Sequence, residues 1–382
     1  MCVKDWVLLF LTLNAAFSVW VSACVTSRGI VGTCLPLNQC AVLTKILSEA
    51  NLHTNLQRKE FLANWRCTAR GINVCCPNEE VYSEPPPFVE NHPNLHLLPD
   101  PSQCATYKAN RIHGGDKTDP LTYTWMALIA TDGETERDFS CGGSIINSRY
   151  ILTAAHCITK LRKAELAGVR VGEHDISSDD DCITPNFCAP PVQDLYIEAA
   201  IPHPGYVGLT EKGMNLVHDI GLLRLSDPID LTKANVKPTC LPVSKELREL
   251  SLENSNLIMT GWGRTNIGDD GELLDFEIKH SNELLVAKLP IVSNKLCAEN
   301  YNASGIGGIG FRQLCAGGLK GVSSCLGDSG GPAGQGLKIG RKVNFVQYGV
   351  VSAGAPCGSE GNPNIFTNVL YYMDWILDQL EP

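Results

Sequence analysis

Residues 323–332, with the sequence Ser-Ser-Cys-Leu-Gly-Asp-Ser-Gly-Gly-Pro, place the serine at position 329 among four glycine and proline residues. Glycine permits a tight turn in which the backbone approaches a substrate closely and presents N–H donors to it. Such a turn can expose a nucleophile, and Ser329 is the candidate. Because a serine hydroxyl is a poor nucleophile until a base takes its proton, the chain must also supply that base.

The base must precede Ser329 in the chain. Residues 327–331 fit the Gly-x-Ser-x-Gly turn of an α/β-hydrolase, but that fold needs a histidine after its serine, and the last histidine here is His280. Upstream, His156 lies in Thr-Ala-Ala-His-Cys and Asp219 lies in His-Asp-Ile-Gly-Leu-Leu. An imidazole can take the serine proton, and a carboxylate can fix the tautomer of that imidazole.

The order His156, Asp219, Ser329 resembles that of the chymotrypsin-fold serine proteases, and three further motifs match the pattern of that family. They are Ser-Cys-Gly-Gly-Ser at 140–144, Cys-Leu-Pro at 240–242 and Thr-Gly-Trp-Gly at 260–263. The resemblance implies an all-β fold of two six-stranded barrels that requires no cofactor. Ser329 would be the nucleophile, His156 the base and Asp219 the residue that orients the base. The backbone N–H groups of Gly327 and Ser329 would hold the oxyanion.

The length of 382 residues predicts two domains. An apolar run that ends in Val-Ser-Ala predicts a cleaved signal peptide over residues 1–23 and therefore secretion. Residues 24–76 carry six cysteines and resemble the CLIP domain of arthropod immune and developmental proteases. Proline and acidic residues predict an extended linker over residues 77–111. The serine protease domain then covers residues 112–382.

Sixteen cysteines follow Cys2, an even number that predicts disulfides in an oxidising compartment. The spacing of the six N-terminal cysteines leaves fifteen connectivities open. The family resemblance, however, implies seven pairs. They are Cys24 with Cys75, Cys34 with Cys67, Cys40 with Cys76, Cys104 with Cys240, Cys141 with Cys157, Cys297 with Cys315, and Cys325 with Cys357. The two cysteines that remain, Cys182 and Cys188, would then pair with each other as an extra loop closure.

A net charge of −10 without a run dense in Lys or Arg argues against nucleic acid and anionic membrane as partners. Proteins are the expected partners. The resemblance implies protein substrates, an upstream activating protease and a serpin inhibitor. It also implies an extracellular cascade of innate immunity, such as melanisation or antimicrobial signalling, with a developmental cascade as the other possibility. A CLIP-domain homologue that regulates other proteases without cutting is the alternative function.

A basic residue before Ile-His-Gly-Gly, at the end of the linker, predicts an activation site between Arg111 and Ile112. In the family the new amine folds inward and pairs with the carboxylate beside the nucleophile, which is Asp328 here. A buried carboxylate is costly without a cation, so the uncut chain is expected to be a zymogen.

The specificity pocket departs from the trypsin pattern. The family places the pocket floor at Ser323, where a carboxylate would select Arg or Lys, so the resemblance implies a non-basic, chymotrypsin-like preference. Ser352 and Gly354 correspond to the edge that pairs with substrate, whereas Asn364 stands where glycine is common. An amide at Asn364 would shorten the pocket or make it polar. An enzyme of this kind would cut poorly after Arg111, so a different, trypsin-like protease is the expected activator.

Two further sites are weaker predictions. Glu173 lies in an acidic loop that resembles the calcium-binding loop of several relatives, and a structural calcium or an ordinary solvated loop both fit the sequence. Asn302 lies in Asn-Ala-Ser, the one glycosylation sequon of the chain.

Overall fold

The structure is a computed structural model of the chain. It describes residues 23–25, 31–40, 43, 62–63, 65–67, 73–77, 86–107, 116–132, 137–159, 166–210, 213–263, 280–301, 306–307, 309–319, 327–354 and 361–382. The chain forms two compact units, Met1–Glu84 and Pro85–Pro382. None of the helices in the described part combines the length and the apolar character that a membrane crossing requires. Most of the predicted signal peptide lies outside the described residues.

The strands, numbered in chain order, are β1 (Ala23–Val25), β2 (Val31–Pro36), β3 (Asn73–Pro77), β4 (Asp116–Lys117), β5 (Met126–Asp132), β6 (Arg137–Ile145), β7 (Tyr150–Thr153), β8 (Leu166–Val171), β9 (Cys182–Thr184), β10 (Phe187–Cys188), β11 (Gln193–Leu195), β12 (Ile197–Pro202), β13 (Gly208–Thr210), β14 (Gly213–Asn215), β15 (Gly221–Leu225), β16 (Asn256–Gly261), β17 (Leu285–Val292), β18 (Ile306–Gly307), β19 (Gln313–Gly317), β20 (Pro332–Ile339), β21 (Lys342–Ala353) and β22 (Pro363–Asn368). The α-helices of the described residues are α1 (Ala155–Thr159), α2 (Lys245–Arg248), α3 (Asn294–Tyr301) and α4 (Met373–Gln379). Short 3₁₀ helices lie at Leu37–Gln39, Pro93–Leu97 and Val369–Tyr372.

The N-terminal unit is a small antiparallel sheet in the order β1-β2-β3. Its disulfides join Cys24 to Cys75, Cys34 to Cys67 and Cys40 to Cys76, the pairs that the CLIP resemblance implies. Trp65 and Leu43 are buried beside these bridges. A unit of this size buries too little apolar surface to be stable alone, and the three disulfides compensate for that.

The first barrel of the larger unit closes through one strand that is interrupted at Tyr196. On one side of Tyr196, β11 pairs with β8, and on the other side β12 pairs with β15. The remaining order is β8-β5-β6-β7-β15, so six strands form a closed ring when β11 and β12 are taken as one. Closure leaves no free sheet edge, and aliphatic side chains of β7 and β15 fill the interior.

The second barrel follows the order β16-β20-β21-β22-β19-β17 and closes by pairing β16 with β17. Strand β4 adds to the outside of β17. Between the barrels, Trp125 stacks on Phe345 with ring centroids 4.0 Å apart, and both side chains are fully buried. The double six-stranded barrel that the sequence predicted is therefore confirmed.

Residues 86–107 pack against the protease unit, although the sequence predicted an extended linker for this stretch. Val89 is fully buried in the core cluster of the first barrel. His92 Nε2 lies 3.1 Å from Asp378 Oδ1, and Asn94 Nδ2 donates to the backbone oxygens of Leu377 and Leu380 at the end of α4. The side chain of Asn94 thus satisfies backbone carbonyls at the C-terminal end of α4, which have no partner within the helix, and this attaches residues 86–107 to the protease unit.

Candidate active site

His156 and Asp219 lie side by side at the end of the first barrel. His156 belongs to α1, which begins two residues after β7 ends, and Asp219 lies two residues before β15. Because β7 pairs with β15, the two residues are brought together. His156 Nδ1 donates to Asp219 Oδ2 at 2.8 Å, and the backbone N–H of His156 donates to Asp219 Oδ1 at 2.9 Å. The carboxylate thus fixes both the position and the tautomer of the imidazole.

Asp219 has two further partners from the second barrel. The hydroxyl of Ser352 donates to Asp219 Oδ2 at 2.5 Å, and the hydroxyl of Thr367 donates to the backbone oxygen of Asp219 at 2.6 Å. The side chain is only 1% exposed. This burial would raise the pKa of Asp219, but the charge of His156 and the hydrogen bonds from His156 and Ser352 hold the pKa below its usual value.

The sequence assigned Ser352 to the substrate edge, but the structure also makes it a support of the carboxylate. This contact was missed because it joins residues 133 positions apart. The one signal in the sequence is that residue 352 is a serine, whose hydroxyl can donate a hydrogen bond. Ser352 therefore links the second barrel to the His156–Asp219 pair.

Ser329 is held against the first barrel by its backbone. Its carbonyl oxygen accepts from the N–H of Gly142 at 2.8 Å. The next residue, Gly330, has a φ of +78°, and a Cβ placed there would lie 2.1 Å from the Thr153 hydroxyl. Thr153 ends the strand that leads into His156. The structure therefore places the Ser329–Gly330 backbone beside the end of the strand that leads into His156.

Gly327 adopts a φ of +100°, a conformation that side chains disfavour. A Cβ at this position would lie 2.8 Å from Nδ1 of His280 and 3.3 Å from the Cα of Gly263. The sequence predicted that a side chain at position 327 would obstruct the oxyanion site. The positive φ and the lack of space for a Cβ are two further reasons why this position requires glycine. The turn can present the N–H groups of Gly327 and Ser329 to a developing oxyanion.

The carboxylate of Asp328 is buried between two glycines of the Thr-Gly-Trp-Gly motif. Its Oδ1 accepts from the N–H of Gly263 at 2.9 Å. A Cβ on Gly261 or Gly263 would lie 2.0 or 2.2 Å from its oxygens, so only glycine admits the carboxylate at either position. The predicted activation residues Arg111 and Ile112 lie outside the described residues.

Asn364 lies on β22, and its side chain is almost completely buried. A Cβ on Gly354 would lie 3.0 Å from Asn364 Oδ1, so the amide faces the substrate edge. The buried Nδ2 has no hydrogen-bond partner among the described residues. Ser323 and the predicted bridge from Cys325 to Cys357 lie outside the described residues.

Comparisons with known proteins agree with this geometry. The Trypsin family model matches residues 112–376, and a model for the regulatory CLIP domain of proteinases matches residues 24–76. The chain belongs to the CLIP-domain serine proteases. Serine protease ea of Drosophila melanogaster is 36% identical over 94% of this chain and 91% of its own length. Phenoloxidase-activating factor 1 of Holotrichia diomphalia is 34% identical over 100% of this chain and 99% of its own length. The Drosophila Grass clip serine protease of the Toll pathway aligns with a TM-score of 0.62 at 31% identity, covering 94% of this chain and 97% of its own.

This CLIP-domain serine protease is therefore a serine endopeptidase of the trypsin family. Four disulfides are present in the described part of its larger unit. They join Cys104 to Cys240, Cys141 to Cys157, Cys182 to Cys188 and Cys297 to Cys315. Three of them are pairs that the family resemblance implies, and Cys182–Cys188 is the pair that the other predicted bridges left over. The bridge from Cys141 to Cys157 connects β6 to the helix that carries His156 and so braces that helix.

Glu173, the predicted calcium-loop residue, is engaged in an ion pair with Arg170. Its Oε2 lies 3.2 Å from Arg170 Nη1, and its Oε1 accepts from the N–H of His174. Burial raises the pKa of Glu173 although Arg170 lowers it. In the described residues, no three His, Cys or carboxylate ligand atoms around Glu173 converge within 4.8 Å. The glycosylation site Asn302 lies outside the described residues.

Proposed function

We propose that the chain is the secreted zymogen of a serine endopeptidase that acts in an extracellular proteolytic cascade of innate immunity. The buried His156–Asp219 pair beside the Gly327–Gly331 turn carries the catalytic part of this proposal. Relatives of nearly the same length are named phenoloxidase-activating factors and melanization protease. Seven disulfides in the described residues fit an oxidising compartment and therefore secretion. The sequon at Asn302 would then be open to glycosylation.

Peptide hydrolysis follows from the arrangement of three side chains and two N–H groups. Ser329 Oγ attacks the scissile carbonyl carbon while His156 Nε2 takes the hydroxyl proton. The carbonyl oxygen becomes an oxyanion that accepts from the N–H groups of Gly327 and Ser329. The C–N bond then breaks, His156 gives its proton to the leaving amine, and water hydrolyses the acyl-enzyme by the same route. Asp219 stabilises the charged imidazole throughout.

Cleavage between Arg111 and Ile112 would create an amine at Ile112 that pairs with Asp328. The buried carboxylate between Gly261 and Gly263 supports this step, because a desolvated charge gains most from a fixed opposite charge. The turn that carries Asp328 also carries Gly327 and Ser329. Formation of the ion pair between Ile112 and Asp328 would therefore bring the N–H groups of Gly327 and Ser329 into position when the chain is cut.

The substrate residue before the scissile bond is expected to be non-basic. Ser323 supplies no carboxylate to pair with Arg or Lys, and the uncharged Asn364 amide faces Gly354. The same features make an upstream trypsin-like protease the activator of Arg111, and a serpin the expected inhibitor of the cut form.

Two forms of the purified chain test the proposal, the intact zymogen and the form cut at Arg111 by a trypsin-like enzyme. We expect the cut form to hydrolyse a peptide library after non-basic residues at least 100-fold faster than the zymogen does. Cleavage mainly after Arg or Lys would contradict the proposed specificity. Self-conversion by the wild type, but not by the Ser329→Ala form, would contradict an upstream activator. Absence of hydrolysis by the cut form would favour the non-catalytic regulator.

A further inference from the structure

An acidic stretch that contains no Lys or Arg lies on the first barrel. Between Val171 and Thr210 there are seven Asp and Glu residues and no Lys or Arg. The average composition of the chain, with 31 Lys and Arg in 382 residues, would place about three basic residues in 40. Glu198 is paired with Arg224 at 3.3 Å. Asp175, Asp179, Asp180 and Asp181 have no Lys or Arg partner within the described residues.

A groove of about 300 Å³ lies beside this stretch, lined by residues of β5, β6, β8 and β11 together with Ile176 and Tyr196. Phe139, Ile176, Leu195 and Tyr196 give it an apolar lining, and Tyr196 is 67% exposed. Large exposed aromatic side chains of this kind are enriched where proteins meet.

The one basic residue in the groove wall is already neutralised. Arg170 makes a bidentate contact with Asp194, with both N···O distances at 2.8 Å, and its Nη1 pairs with Glu173. The same guanidinium lies 5.4 Å from the ring centroid of Phe139. An acidic partner would therefore find no available cation here.

A disulfide-closed hairpin extends the apolar surface. Strands β9 and β10 pair within the loop that Cys182 and Cys188 close, and they expose Ile183 (42%) and Phe187 (54%). The base of the hairpin is tied to the groove, because Asp181 Oδ1 accepts from the N–H of Asp175, the neighbour of Ile176. A short loop held in this way presents its side chains at a low cost in conformational entropy.

We propose that this groove and hairpin, here named the acidic face and defined by Ile176, Asp179, Asp180, Phe187 and Tyr196, bind a protein segment that carries Lys or Arg around an aromatic or aliphatic anchor. Apolar anchors fill the groove, and the basic residues meet the four aspartates. Complementary charge of this kind speeds encounter and selects the partner. The acidic face would thus choose among macromolecules that present the same scissile residue.

Fluorescence anisotropy with defined peptides tests this proposal. The probe is a labelled twelve-residue peptide of Lys residues around one Phe and two Leu, and its comparison has Glu in place of each Lys. The full chain in its Ser329→Ala form is used, so that the probe is not cut and binding is read independently of catalysis. We expect the Lys peptide to bind at least tenfold more tightly than the Glu peptide, and its binding to weaken as salt rises.

Matched variants locate the binding. Asp179→Asn, Asp180→Asn and Tyr196→Ala together remove two exposed charges and one exposed ring, and should weaken the Lys peptide at least tenfold. The control triple variant, Glu249→Gln, Leu250→Ala and Glu253→Gln, makes the same kind of change at another exposed site and should leave binding unchanged. Equal binding of the two peptides, or equal losses in the two triple variants, would overturn the proposal.

Discussion

Two stacked histidines beside Asp219 should make the stability of the protease unit depend on pH. The rings of His203 and His218 are parallel within 1°, with centroids 4.4 Å apart. Arg312 Nη1 lies 3.4 Å from His218 Nε2, and His203 Nδ1 accepts from the N–H of Gly205. Burial lowers the pKa of each ring to about 4, helped at His203 by the charges of His218 and Arg312 and at His218 by the charge of Arg312. Protonation would add charge beside Arg312 and abolish an accepted hydrogen bond.

The direction in which pH changes the free energy of unfolding depends on how many protons the folded and unfolded states bind. Above pH 6.5 both states hold neutral rings, and the histidines make no difference to the free energy of unfolding. Between pH 6.5 and about pH 4, the unfolded chain binds protons that the folded chain does not, so stability falls as pH falls. From pH 7 to pH 5 this loss is about 2 kcal/mol per ring, at 1.36 kcal/mol for each unit of pKa. Below about pH 4 the loss stops growing.

Urea unfolding with intact disulfides, followed by tryptophan fluorescence between pH 5 and pH 7, measures this effect. The comparison is the double variant His203→Gln and His218→Asn. Asparagine suits position 218 because the φ of His218 is +66°. We expect the wild type to lose about 4 kcal/mol more than the variant over this range. Parallel stability curves for the two proteins would refute the reasoning.

Three substitutions test the active site of the activated enzyme by steady-state kinetics. Gly327→Ala forces a side chain into a φ of +100° and should lower kcat about 100-fold by displacing an oxyanion donor, whereas unchanged kcat would contradict that role. Ser352→Ala removes one of three hydrogen bonds to the Asp219 carboxylate and should lower kcat/KM by about two- to tenfold. A larger effect from Thr367→Val, which touches only the Asp219 backbone oxygen, would contradict this explanation. Asn364→Gly opens the space beside Gly354 and should improve cleavage after Phe and Tyr about tenfold relative to smaller residues; an unchanged library profile would show that Asn364 does not limit the pocket.

The proposed catalytic residues could be picked out from the sequence because each lies in a short local motif whose chain order excludes one rival fold. His156, Asp219 and Ser329 needed no knowledge of tertiary contacts. The double barrel followed from the same family resemblance. The closure of the first ring at Tyr196 did not, because a one-residue break between β11 and β12 has no sequence signal of its own.

Three features required the structure because they depend on pairs of distant residues. The bond from Ser352 to Asp219 joins different barrels. Proline content indicated an extended linker, but the docking of residues 86–107 depends on Asn94 meeting the end of α4. Around Glu173 the sequence shows several carboxylates, but it does not show that the guanidinium of Arg170 forms an ion pair with Glu173 in the folded chain.

Labelling of the nucleophile tests the central claim most directly. The chain is cut at Arg111, treated with a serine-directed peptidyl phosphonate and analysed by mass spectrometry. We expect one label per molecule, located on Ser329 and absent from the intact zymogen and from the His156→Ala form. A cut chain that stays unlabelled, or one labelled equally without His156, would contradict the proposal that His156, Asp219 and Ser329 form a working catalytic triad.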